Sequence, residues 1–372
     1  MTLEHPLAPA ASPGAATILI TGATGQIGRW LLHRLLCLAP ETPLVLALRD
    51  PQAQQAALRS WLAARGIPGL VLAQLQAVPY RLEDTVAAQA LVGRLRPGVV
   101  LHLAARFEWG LRRADARRAQ VQATEALWDA QTDPCGHAGR FIALGGYMTQ
   151  HRPHLERLGI SDAGNTDWAR LYRRIGGYEA SKLETQAHMS ARATRLGRPW
   201  LCVHPATVCG HSREGELPRH AALHALCRQL LRGRLSALPG SHRHQLPLVS
   251  ADHLADFLAH LALDGDIVTG DYLLLDHGSP SFHDLVHQLA NALGVRAPRL
   301  ALPLPLMRAV LRLPGMAAWS GASAEGLDFL LEAPRFDTAA AEALARRWQL
   351  QAAPLDAALT ATARFVRQEA LA

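Results

Sequence analysis

The chain of 372 residues reads as a doubly wound α/β fold: a parallel sheet with helices on both faces, followed by a smaller, mixed but mainly helical C-terminal lobe. Three observations predict it. A short apolar, β-branched run, "TILIT" (17–21), leads into a glycine-rich turn and then an amphipathic stretch. Strand-length apolar runs recur at 75–80, 98–105, 140–146 and 200–208, with helix-like segments between them. Alternation of that kind requires crossovers between parallel strands, and the helices of those crossovers cover both faces of the sheet. Beyond residue 209 the alternation gives way to helices, several of them broken by proline.

Taken in order, residues 1–16 are Pro/Ala-rich, with no basic start and no apolar core, and are expected to be a tail and not a signal peptide. The core is expected over 17–208. After "TILIT", the stretch "RWLLHRLLCLA" has helical apolar spacing, and "PLVLALR" is the second strand. "TVAAQALVGRL" and "ARRAQVQATEALWDAQ" are the clearest later helices. The lobe is expected over 209–372, with strands near 246–250 and 271–275 returning to the core.

In "TGATGQIG" the glycines are Gly22, Gly25 and Gly28. The first permits a tight turn, the second lets the backbone approach a pyrophosphate, and the third lets helix and strand pack closely. A helix starting near Gln26 would aim its unpaired N–H groups at the anion. This is a Rossmann-like dinucleotide signature. At the end of the second strand, where a carboxylate would take a ribose 2′-hydroxyl and an arginine a 2′-phosphate, the sequence has "LALRD". Arg49, with Arg29 just past the last glycine, favours NADP(H) over NAD(H).

The segment "IGGYEASKLETQ" (175–186) holds Lys182, the single lysine among thirty-eight Lys and Arg residues. Tyr178 lies four residues earlier, so on a helix the two share a face. An ammonium beside a phenol stabilises the phenolate, and lysine does this as a compact donor where arginine would present a planar fork.

Composition removes several function classes. Apolar residues make up 49% and charged ones 19%, which excludes a largely disordered chain. No run of about 18 apolar residues suggests a membrane span. The net charge of +7 is spread along the chain without an aromatic-rich basic stretch, so no nucleic acid is expected. His220 and His224, and likewise His242 and His244, lack an H-E-x-x-H arrangement or a third ligand, so no metal site is expected. Five cysteines without C-x-x-C spacing fit a reduced cytoplasm.

The glycine turn, "HLAA" (102–105) after a fourth strand and "YEASK" after a fifth resemble the extended short-chain dehydrogenase/reductase family. More narrowly, "TGATGQIGRWLLHRLL", the Arg49 strand end, "YEASKLETQ", "HPATVCGHSREGEL" and "FLLEAPRFDTAAAEAL" look like the thioester-reductase, carboxylic-acid-reductase and male-sterility (fatty acyl reductase) branch. The likeness covers roughly residues 17–290. It implies hydride transfer between a nicotinamide and a carbonyl or alcohol carbon. Tyr178 would donate the proton, while Lys182 would hold the nicotinamide ribose and lower the phenol pKa. The implied cofactor contacts are Thr21, Gly22, Thr24, Gly25, Gln26, Ile27, Gly28, Arg29, Arg49, Ala104, Ala105, Tyr178, Lys182, His204, Pro205, Ala206 and Val208.

The chain departs from that pattern where the family has a substrate-orienting Ser or Thr after strand five. Leu144, Gly145 and Gly146 stand there, and the nearest hydroxyls are Tyr147 and Thr149, of which Thr149 is the candidate third catalytic residue. Gln120 replaces the asparagine of the proton relay, and Arg81 the acidic residue that meets the adenine. The expected activity is NADPH-dependent reduction of a carbonyl or thioester-derived aldehyde, on a small hydrophobic or acyl-thioester substrate. With no carrier or adenylation segment in the sequence, an acyl thioester would be expected to arrive in trans. A sugar-nucleotide epimerase or dehydratase, or a nucleotide-binding regulator or scaffold, are the alternatives. The protein is expected to be a monomer or homodimer.

Overall fold

β1 (Ile18–Thr21) is buried along its whole length. Ile18 and Ile20 point into one core and Leu19 into the other, the alternation that a strand covered on both faces imposes. The computed structural model describes residues 16–106, 108, 110–131, 139–160, 164–313, 316 and 325–371; nearly all of the expected tail, and Cys135, lie outside the described residues. α1 (Gln26–Leu38) follows the glycine turn and buries Trp30, Leu31, Leu32, Leu35 and Leu36, a stripe set by the i, i+4 spacing of its apolar residues.

The chain then continues through β2 (Leu44–Leu48), α2 (Pro51–Ala63), α3 (Gly69–Ala73), β3 (Gln76–Pro79), α4 (Thr85–Leu95) and β4 (Val99–His102). α5 (Arg113–Ala116) passes through a π-helical stretch, Arg117–Gln122, into α6 (Ala123–Gln131). After β5 (Arg140–Leu144) come a 3₁₀ turn at Tyr147–Gln150, α7 (Arg152–Leu158), α8 (Trp168–Ile175) and the long α9 (Gly177–Leu196). β6 (Leu201–Pro205) and β7 (Thr207–Val208) close the core half.

The second half comprises α10 (Ala222–Leu231), β8 (Ala237–Pro239), β9 (His244–Gln245), β10 (Leu248–Val249), α11 (Ala251–Leu263), β11 (Gly270–Leu274) and α12 (Phe282–Leu293). It ends with β12 (Leu300–Leu302), α13 (Leu304–Leu311), β13 (Leu331–Glu332), α14 (Ala339–Arg347) and α15 (Leu355–Leu371).

Seven strands form one sheet in the order β11-β6-β5-β4-β1-β2-β3, and every neighbouring pair is parallel. The fold is thus Rossmann-like, and its strand order reverses between β1 and β4, where crossovers leave in opposite directions and open a crevice. α1, α2 and α11 cover one face of the sheet; α4, α6 and α9 cover the other. β11 joins the sheet as its edge strand, whereas β10 pairs with β7 in a separate two-stranded ladder. The chain end also returns to the core: α14 lies on β11, and Trp348 donates its indole N–H to Asp264 Oδ2 at 2.9 Å. A second apolar core, built from α10, α12 and α15, makes the lobe. Among the described residues, no helix is long and apolar enough to cross a membrane.

Candidate active site

The glycine turn is packed so tightly that side chains are excluded at two of its three positions. A Cβ on Gly22 would lie 2.7 Å from the Ala104 amide nitrogen, and Gly22 has φ +76°, which favours glycine. A Cβ on Gly28 would fall 2.2 Å from Gly22 O. Gly25 is exposed and starts α1 without any capping side chain or acidic residue in the first turn. The first-turn N–H groups of α1 therefore face outward at the crevice, which is the electrostatics a pyrophosphate requires.

The turn is tied to its neighbours through hydrogen bonds. Ala104 N donates to Thr21 Oγ1 at 3.2 Å, and Thr21 Oγ1 lies 2.9 Å from His102 Nδ1. Gln26 Nε2 donates to Cys209 O at 2.9 Å, so the segment after β6 closes on the start of α1. Thr21, Gly22, Gln26, Ala104 and the 205–209 segment thus gather at the C-terminal ends of β1, β4 and β6. His102 is buried, and burial together with the nearby Lys182 charge lowers its pKa to about 3.

At the adenine end the expected arginines have different surroundings. Arg49 is exposed at the end of β2. Asp50, its neighbour, caps α2: the Ala53 amide donates to Asp50 Oδ1 at 3.1 Å, and proline follows at the first helical position. One of its carboxylate oxygens is thereby engaged by the helix. Arg29 pairs with Glu216 at 2.8 Å. Glu216 also accepts from the Trp61 indole at 2.9 Å and from Arg65, which stacks 3.8 Å above the Trp61 ring. Arg29 is therefore already neutralised by a carboxylate.

Tyr178 and Lys182 occupy the first two turns of α9, on one face. Lys182 Nζ donates to Leu144 O at 2.7 Å, pinning the end of β5 to the helix. Burial lowers the Lys182 pKa to about 8. Burial raises Tyr178 to about 12, with the neighbouring Glu179 charge adding to the rise. The phenol is held protonated, and Lys182 spends a donor on the strand end. That differs from the simple expectation of a phenol brought down by its lysine.

The two glycines after β5 are not equivalent. A Cβ on Gly145 would collide with His204, 2.3 Å from Nδ1 and 2.7 Å from Cε1, with Cys202 Sγ at 3.1 Å. A Cβ on Gly146 meets nothing within 4 Å, and its backbone is extended. Imidazole fills the space at 145; the space at 146 is open. Thr149 is buried, and its hydroxyl lies 2.8 Å from both Gly146 O and His204 Nδ1. The Tyr147 hydroxyl donates to Phe329 O at 2.9 Å. Both candidate replacement hydroxyls are thus occupied by the protein itself.

His204 is wholly buried, so its side chain is withheld from a bound dinucleotide, leaving only backbone at that position. Its Nε2 lies 3.0 Å from Asp271 Oδ1 and 3.1 Å from Gln150 Nε2. Asp271 also accepts from Gln186 at 2.7 Å. Sequence reasoning missed this chain, Asp271–His204–Thr149, because its members are far apart in sequence and no motif joins them. Cys202, His204 and Asp271 bring three ligand-type atoms within 4.8 Å. The thiol approaches Nδ1 and the carboxylate Nε2, opposite edges of one ring, whereas ligands of a single ion must converge on one point. The geometry is that of a hydrogen-bond chain.

Comparison with solved structures gives the same architecture. The terminal R domain of the myxalamid PKS-NRPS biosynthetic pathway is 19% identical, covering 97% of this chain and 93% of that one, with a TM-score of 0.70. UDP-glucuronic acid 4-epimerase from Bacillus cereus, solved with NAD, is 16% identical over 95% and 99% of the two chains (TM-score 0.62). The Bordetella bronchiseptica enzyme WbmH, solved with NAD+, is 17% identical over 95% and 99% (TM-score 0.60). At these identities the likeness is one of fold. No curated protein matches the sequence. The NAD dependent epimerase/dehydratase family matches residues 18–271, from β1 into β11. A match over that much of the chain, on a sheet with this strand order and a Tyr/Lys pair at its C-terminal edge, makes the protein an extended short-chain dehydrogenase/reductase enzyme of the NAD dependent epimerase/dehydratase family.

Proposed function

We propose that the protein is an NADPH-dependent reductase of a carbonyl or thioester-derived aldehyde. The observation that carries this reading is Tyr178: a phenol held protonated by burial, one helical turn from an ammonium that ties α9 to the C-terminal end of β5, on a sheet whose first turn fits a pyrophosphate. Such a group is an acid at neutral pH, as reduction requires. The dinucleotide, when bound, supplies the hydride. Tyr178 gives its proton to the carbonyl oxygen, and Lys182 holds the β5 end in place and keeps positive charge beside the developing phenolate. Arg49 reads the 2′-phosphate, and the capping role of Asp50, which commits one carboxylate oxygen to α2, supports NADPH over NADH.

The open side of Gly146 supports a substrate that is bulky there, hydrophobic or acyl-bearing, and supplies its own polar group. A cytoplasmic location suits a reduced nucleotide cofactor. Epimerisation or dehydration of a sugar nucleotide is the same-fold alternative and would need a further acid/base beside Tyr178. Glu179 is buried against His154 at 2.5 Å, and the Tyr147 hydroxyl is donated to a carbonyl, so these nearest groups support packing over chemistry.

The test is nucleotide binding followed by consumption. NADPH should raise Tm more than NADH does, and NADPH absorbance should fall with an aldehyde or acyl thioester. Protection by neither nucleotide would remove the cofactor claim. Protection without consumption, and function intact in Tyr178→Phe, would make the protein a nucleotide-binding regulator.

A further inference from the structure

In the lobe, the segment before α10, α10 itself and the end of α15 border a half-open surface cleft of about 480 Å³, whose arginines at 219, 232 and 367 are exposed to solvent. Its charged lining is Arg219, Arg228, Arg232 and Arg367 with His224 and Glu369. Glu369, the only carboxylate among these, is already used: it accepts from Arg219 at 2.5 Å and lies 2.7 Å from His224 Nε2. Among the described residues, Arg228, Arg232 and Arg367 form no ion pair. The negative end of the α10 dipole accommodates Arg228 and Arg232, which stand one turn apart on one face. It does not account for Arg219 and Arg367, which come from other segments to the same space. His224 is almost fully buried in the wall, and its Nδ1 has no partner among the described residues. Leu231 and Val366 give the cleft an apolar side.

We propose that this cleft binds a small phosphorylated organic molecule. Guanidinium forks match phosphate oxygens in bidentate geometry. The volume lies in the range of small-molecule sites and is too large for phosphate alone. The apolar wall takes the organic part. This site lies in the lobe and is independent of the nicotinamide chemistry proposed above.

The experiment is calorimetric titration of the full chain with phenyl phosphate, and separately with inorganic phosphate, at matched ionic strength. Phenyl phosphate should bind saturably and more tightly than inorganic phosphate. The Arg228→Ala/Arg232→Ala variant should weaken it by roughly tenfold or more. Arg243→Ala, an exposed arginine outside the cleft, should leave it unchanged. Glu369→Gln should tighten it by removing the one repelling carboxylate. NADPH affinity and Tm should be the same in the double variant and the parent, which separates loss of this site from loss of the fold or of the cofactor site. Absence of saturation, or equal affinity in the parent and the double variant, would overturn the site. Equal affinity for inorganic and phenyl phosphate would overturn the organic ligand.

Discussion

Gly145→Ser and Gly146→Ser differ by one position and should have opposite effects. At 145 the new Cβ would sit 2.3 Å from His204 Nδ1 and 2.7 Å from Cε1, inside a buried cluster in which His204 is hydrogen-bonded on both edges. Overpacking of this kind costs about 1–3 kcal/mol, and displacing His204 also removes a partner of the buried Thr149 hydroxyl, at about 1–3 kcal/mol. A loss of about 2–5 kcal/mol is expected, a large share of the stability of a typical domain. At 146 no atom stands within 4 Å and the backbone is extended, so serine should be neutral or stabilising by up to about 1 kcal/mol through the unfolded state. The hydroxyl would restore a carbonyl donor of the kind worth about 2.7–4 kcal/mol. On a small aldehyde, kcat should rise by about tenfold at least, with roughly 10²–10³ as the ceiling. A bulky substrate should lose affinity because the open space is filled. The assay is urea denaturation for stability and NADPH absorbance for turnover, with Gly145→Ser/His204→Ala as a cycle: removing the ring should rescue the serine at 145. A Gly145→Ser protein as stable as the parent, or a Gly146→Ser protein destabilised by more than about 1 kcal/mol, would refute the reasoning.

Three further outcomes follow from the same geometry. Arg49→Ala should weaken NADPH by roughly 10- to 100-fold, the worth of a charge-assisted contact, and leave NADH unchanged; Arg29→Ala should affect NADPH far less, because Glu216 already holds that guanidinium. Fluorescence titration with both nucleotides checks this. Activity should fall as pH rises through about 8, where Lys182 loses its proton. The pKa is lowered from 10.5, so between these values the unfolded chain holds more protons and stability rises while activity is lost. Opposite trends in rate and Tm across that window are the signature. His102, lowered from 6.5 to about 3, binds a proton in the unfolded chain first, so its contribution is present above about 6.5 and is lost as pH falls toward 3. The full window is worth about 4–5 kcal/mol, and His102→Asn should flatten the acid side of a Tm–pH curve.

The sequence made local features legible and distant ones hidden. The glycine turn could be read because strand, turn and helix are contiguous and each glycine has a steric reason that the structure repeats at Gly22 and Gly28. The Tyr178–Lys182 pair could be read because four residues on a helix fix a shared face. Neither the capture of Arg29 by Glu216 nor the His204–Asp271 contact could be read, since each joins segments distant in the chain. The inequality of Gly145 and Gly146 was likewise hidden, because it depends on a ring from β6. One signal was present and unused. "RDPQ" places Asp at an N-cap with Pro at the first helical position, which already commits Asp50 to α2. The return of α14 to the sheet through Trp348 left no local trace either.

In the proposed reaction Tyr178 donates a proton during reduction by NADPH. Single-turnover mixing of enzyme and NADPH with aldehydes, ketones and acyl thioesters, in the parent and in Tyr178→Phe, tests it most directly. At least one substrate class should oxidise NADPH in the parent, and Tyr178→Phe should still bind NADPH while the transient disappears. An equal transient in Tyr178→Phe would contradict it.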